Sequence, residues 1–212
     1  MNSLHSDKIS DLYNTYNEVI KPLIALYEAR EEVFPIPLFN EIRAFNDHIA
    51  RCFIPSSSDY QIENELFRAE RHINRIVLDC YKYLNVSFYV EVKSFESRTK
   101  HVDLTVLDNG LFYPKFLELK NNAVKLIRRA KKNESLKLDE SFNDYQNAYN
   151  VYSELSDLIN SRSSEVNWAR VRFSVFTLLK VMAWVVGAVL SGLISLFLTC
   201  EEVKSIIIKI FY

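Results

Sequence analysis

The stretch FSVFTLLKVMAWVVGAVLSGLISLFLTC, Phe173 to Cys200, contains a single charged side chain, Lys180. It is longer than the roughly 20 apolar residues that cross a bilayer as a helix. A soluble core rarely needs a helix this long and this apolar, so a transmembrane helix is expected over 171–200. Upstream, 1–170 is expected to form a separate body, and 201–212 a short amphipathic tail. Arg162, Arg170 and Arg172 precede the span, whereas Glu201, Glu202, Lys204 and Lys209 follow it with mixed sign. By the positive-inside rule the body lies in the cytoplasm and the chain crosses the membrane once. The start, MNSLHSDKISDLY, has no basic residues leading into an apolar run, so membrane targeting is expected from the C-terminal end.

The span is not uniform. At about 100° per residue, Ser174, Thr177, Lys180, Trp184, Gly187, Ala188, Ser191, Gly192, Ser195 and Thr199 fall within roughly 140° of one another. Leu178, Leu179, Met182, Val185, Val186, Val189, Leu193, Leu196 and Phe197 occupy the opposite side. A lipid anchor does not require this sorting. Gly187/Ser191 and Ala188/Gly192 are small-xxx-small pairs that let helices approach closely. One reading is a homodimerising helix. The other is a pore-lining helix of a larger homo-oligomer, a tetramer being one allowed size. Thr177, Lys180, Trp184, Gly187, Ser191, Ser195 and Thr199 would then face the lumen. Lys180, about two turns inside, either faces that lumen or reaches back to the interface with its long stem.

The rest of the chain reads as helix. Three Gly and five Pro in 212 residues leave few turns, and 14 Phe with 12 Tyr supply core material. Ile9, Leu12, Tyr13, Tyr16, Val19, Ile20, Leu23, Ile24 and Tyr27 recur at helical spacing. FPIP, Phe34 to Pro37, should end that helix. Ile42, Phe45, Ile49, Cys52 and Phe53 mark one side of a second helix. Ile62, Leu66, Ala69, Ile73, Ile76, Val77, Cys80 and Leu84 mark a third. VSFYVEVK fits a strand or a helix, and helix is preferred because no partner strand follows. LDNG at 107–110 is a turn, and a further helix is expected over about 114–132. The last helix of the body should start near Asp139 or Ser141 as a cap, and run through Trp168 straight into the span. The fold class expected is therefore all-α: a helical bundle with a C-terminal transmembrane helix.

Chemistry is sparse. Lys+Arg number 26 against 27 Asp+Glu, so global charge does not mark a nucleic-acid binder. Cys52, Cys80 and Cys200 are far apart and suggest neither zinc nor a disulfide framework. No Gly-rich phosphate loop, metal-spaced His/Glu set or Ser/His/Asp grouping occurs, so no cofactor and no metal is expected. Two basic clusters stand out. Arg128, Arg129, Lys131 and Lys132 lie in KNNAVKLIRRAKKNESLK, which has one acid, Glu134. Arg68, Arg71, His72 and Arg75 form a second cluster with acids nearby. Either can contact phosphates in a salt-sensitive, sequence-independent way. The plainer alternatives are a solvated face or one resting on anionic lipid head groups.

RAFNDH places Arg43 and His48 with four residues between them, and resembles the R-x4-H signature of HEPN-fold RNases. That resemblance implies an Arg/His pair that activates a ribose 2′-OH and stabilises the phosphate. On a continuous helix the two side chains point about 140° apart, so convergence needs a helix break or a partner subunit. The combination of FPIPLFNEIRAFNDHIARCF, ELFRAERHINRIVLDCYKYL and a helix entering a C-terminal span resembles small bacterial membrane effectors of anti-phage defence, notably the channel subunits of Hailong-type systems. This resemblance implies a homo-oligomeric inner-membrane channel whose gating depends on a nucleotide or short DNA-oligomer ligand made by a partner nucleotidyltransferase. Opening would depolarise the infected cell. A membrane-anchored RNase using Arg43 and His48 is the alternative, and a membrane-tethered scaffold is a third.

Overall fold

A computed structural model describes residues 3–199 together with Ser205 and Lys209. Among the described residues there are seven α-helices and no strand. They are α1 (Ser3–Thr15), α2 (Lys21–Glu31), α3 (Ile36–Arg51), α4 (Asp59–Arg98), α5 (Phe112–Asn133), α6 (Leu138–Ser161) and α7 (Ser163–Thr199). Backbone helicity continues from α1 into α2 through a π-turn, Tyr16–Ile20, in which the Lys21 N–H donates to the Tyr16 carbonyl. Pro22 explains the widening. Its ring would clash with the carbonyl four residues back in a regular α-helix, and the wider turn relieves that clash.

Glu32 closes α2 in the left-handed region at φ 56°. Pro35 then caps α3, with Ile36 and Pro37 in its first turn. Ser58 and Gln61 form a reciprocal capping box that starts α4, with bonds of 2.8 and 3.3 Å. VSFYVEVK lies inside α4, whose 40 residues span about 60 Å. This helix is the spine of the body. Its N-terminal half packs against α1 and α3, and its C-terminal half against α2, α5 and α6. The predicted apolar stripes are in the core, with Phe45, Ile76 and Leu84 at 0% exposure. Phe53 is the exception: it lies in the turn after α3 and is 59% exposed.

Two boundaries differ from expectation. Neither Asp139 nor Ser141 caps α6, whose N-cap is Lys137 without a side-chain bond. The Ser141 hydroxyl is instead buried and donates to the Ala130 carbonyl at 2.9 Å, tying α6 to α5. Nor does α6 run into the span. The chain breaks at Arg162 (φ −109°, ψ 13°), and a new helix begins at Ser163. Arg162 donates to Asp108 at 2.9 Å and to Glu165 at 2.8 Å, so the break is held by charge-assisted bonds. Val166 and Ala169 are the last buried residues among those described. From Arg170 to Phe197 every side chain is exposed.

The helix Ser163–Phe197 contains an 18-residue window of mean hydropathy 2.0 that is wholly exposed, so it is long and apolar enough to cross a membrane. The helix is unbroken from Ser163 to Thr199, which preserves the one-sided sorting of small and polar residues. Nothing lies within 4 Å of a Cβ built on Gly187 or Gly192, so contacts within one chain give no reason for either glycine. The hydroxyls of Ser174 and Thr177 donate to the carbonyls of Arg170 and Phe173, at 3.1 and 2.9 Å, and do not need water. The Thr199 side chain and the expected amphipathic tail lie outside the described residues, apart from Ser205 and Lys209.

A candidate ligand groove along the central helix

α3 runs antiparallel to α4, and each contributes one histidine and one glutamate to a shared cluster. His48 Nδ1 lies 2.6 Å from Glu65 Oε2, and His72 Nδ1 lies 2.7 Å from Glu41 Oε2. The imidazole rings stack with centroids 5.2 Å apart and planes at 22°. A carboxylate only accepts, so each Nδ1 carries the proton of its bond and each Nε2 is left for a further partner. Arg68, Arg71 and Arg75 on α4 join the two histidines around a cavity of about 320 Å³. Arg68 lies 3.6 Å from Glu65, and Arg75 3.3 Å from Glu41. Arg71 makes no salt bridge among the described residues. The second basic cluster of the sequence is thus assembled into one concave site, with His48 added from α3.

That cavity continues along α4. Arg71 and Arg75 also border a larger depression of about 710 Å³ that extends to Asp79, Lys82, Glu134 and Phe142. Lys82 and Glu134 in turn border a third cavity, of about 470 Å³, between α4, α5 and α6. The three form one groove from Arg68 to Tyr89, roughly 31 Å at 1.5 Å per residue. Its acids are largely engaged. Lys82 pairs with Glu134 and lies 3.6 Å from Asp79. Burial pushes the Asp79 carboxyl up, against the pull of Lys82 and Arg75. Arg128 and Lys131 line the third cavity, are exposed, and make no salt bridge among the described residues.

The other nominated residues separate from this groove. Arg129 is bound bidentately by Asp144, with Nε 2.6 Å from Oδ2, and Asp144 is only 4% exposed. Its charge therefore holds α5 to α6. Lys132 is exposed and lines none of the three cavities. Arg43 and His48 both lie on the uninterrupted α3, and Arg43 is exposed and absent from the histidine cavity. One chain therefore does not assemble the Arg43/His48 pair. Cys52 and Cys80 are buried, and burial raises both thiols, Cys80 to about 12, so neither is a ready nucleophile. Among the described residues no group of three or more His, Cys, Asp or Glu is placed to hold a metal ion.

Sequence reading missed Lys82, Asn85, Tyr89, Tyr145 and Tyr152 as groove residues. The signal was present in Asn85, a polar residue on the buried stripe between Leu84 and Phe88, but that helix was expected to end near Leu84. The chain matches no protein-family model, no curated protein and no solved structure.

Proposed function

We propose that this protein is a ligand-gated homo-oligomeric membrane pore, controlled by a nucleotide or short DNA oligomer that lies along α4. The observation that carries the reading is that one helix connects the two parts. α4 lines the cationic groove along its middle, and its last residue, Arg98, accepts a hydrogen bond at the carbonyl from Arg170 of α7 at 3.4 Å. A ligand that binds two arrangements of this rod with different affinity shifts the packing at the root of α7. The groove carries guanidinium and imidazole groups at one end and tyrosine walls with ammonium and guanidinium groups at the other, and cations combined with aromatic faces track single-stranded nucleic acid without reading sequence.

α7, exposed from Arg170 to Phe197, is satisfied by lipid on its apolar side and by other copies on its small and polar side. In a ring, Thr177, Lys180, Trp184, Gly187, Ser191 and Ser195 turn toward the axis. The resemblance to Hailong-type channel subunits points the same way, to an effector in a bacterial inner membrane with a nucleotidyltransferase partner. The test is toxicity and membrane potential on induced expression. Ser191→Leu and Ser195→Leu, which add bulk to the axial face without adding charge, should abolish depolarisation. Depolarisation that persists in both variants refutes the pore.

A further inference from the structure

The third cavity of the groove carries a more specific feature. Asn85 is 4% exposed, and its Nδ2 donates to the Tyr145 carbonyl at 2.9 Å. A carbonyl only accepts, so this bond fixes the amide orientation and leaves Oδ1 as an acceptor. Asn85 Oδ1 has no hydrogen-bond partner. Asn85 lines the 470 Å³ cavity together with Tyr89, Tyr152, Arg128 and Lys131. Native interiors pair nearly all buried polar atoms, so an unpaired acceptor on a cavity-lining residue is open to a donor from outside the chain. The cavity volume falls in the range of small-ligand sites, and its apolar walls with few polar groups match their usual makeup.

We infer that this cavity is a base slot: one base of the bound strand enters it, an N–H of that base donates to Asn85 Oδ1, and the adjoining phosphate meets Arg128 and Lys131. This rests on the oligonucleotide reading above. The chemistry requires a flat apolar group, an N–H donor and an anion within one nucleotide's reach, and a nucleoside phosphate unites all three. A lipid head group fits less well, because Asn85 lies thirteen residues before Arg98, where α4 meets α7. That is about 20 Å into the body from the root of the membrane helix.

The test uses the full-length protein in detergent and fluorescence anisotropy with labelled DNA hexamers, one bearing bases and one abasic throughout. Aromatic contact with one base corresponds to a factor of about five or more in affinity, so the abasic strand should bind at least about fivefold more weakly. Val86→Trp, at a 62% exposed position on the rim, fills the mouth without entering the core and should bring the base-bearing strand down to the abasic level. Asn85→Leu should do the same. Because it also removes the tie to Tyr145, Val86→Trp is the deciding variant. Equal binding of both strands, unchanged by Val86→Trp, overturns the slot and leaves the groove standing. Binding of neither strand overturns both.

Discussion

Replacing Arg71 and Arg128 by Gln isolates the electrostatic part of the account. Both guanidinium groups are exposed and make no salt bridge among the described residues, so their removal leaves no carboxylate without a partner. They stand at opposite ends of the groove, Arg71 at the histidine cavity and Arg128 at the tyrosine-walled one. Each phosphate contact to a single strand contributes about 0.7 to the slope of log affinity against log salt, so the double variant should reduce that slope by about 1.4. At a salt concentration of 0.1 M this is about fivefold per contact, or roughly 25-fold in all. The assay is anisotropy of a labelled DNA hexamer across a salt series, with thermal melting as the check on folding. Arg43→Gln, on the same body but outside the groove, should leave the slope unchanged. A double variant with the wild-type slope would falsify the groove as the phosphate track.

Other outcomes follow from particular contacts. Arg129→Gln should lower the melting temperature, because it strips the buried Asp144 of its bidentate partner, whereas Lys132→Gln should not. Phe45→Ala empties a fully buried site against Tyr13 and Tyr16 and should cost about 3–5 kcal/mol in chemical denaturation. Burial raises the Tyr145 and Tyr152 hydroxyls from 10.0 to about 12. Their contribution to stability is therefore complete below pH 10 and lost as pH rises through about 12. Tyrosinate absorbance should show two groups titrating together with unfolding, and Tyr145→Phe with Tyr152→Phe should remove that phase. Arg162→Ala releases both Asp108 and Glu165 at the α6–α7 break. It should leave hexamer affinity unchanged while weakening the effect of the hexamer on ion flux.

Helix content and the long apolar C-terminal helix were legible because periodicity and hydropathy are local properties. The stripes from Ile9 to Tyr27 and from Ile62 to Leu84 are both in the core. Boundaries were less legible where tertiary contacts decide them. The break at Arg162 depends on Asp108, a residue 54 positions away, and Ser141 is taken from its capping role by the Ala130 carbonyl. The groove was half legible. Arg68, Arg71, His72 and Arg75 recur on one helix and announce themselves by spacing. His48 reaches them only through the antiparallel register of α3 on α4, and no spacing rule within one helix reports that. Arg128 and Arg129 are neighbours in sequence, yet one borders a cavity and the other is held by a buried carboxylate. Adjacent positions on a helix point about 100° apart, so a basic run splits between faces.

Ion flux from sealed vesicles carrying the purified full-length chain, measured with and without a short single-stranded DNA hexamer, reads pore and gating in one experiment. A ligand-gated pore leaks at a rate that depends on the hexamer, with that dependence removed by the Arg71/Arg128 double substitution and the leak itself blocked by Ser191→Leu. Vesicles that hold their gradient under every condition, or leak equally with and without the hexamer, contradict it.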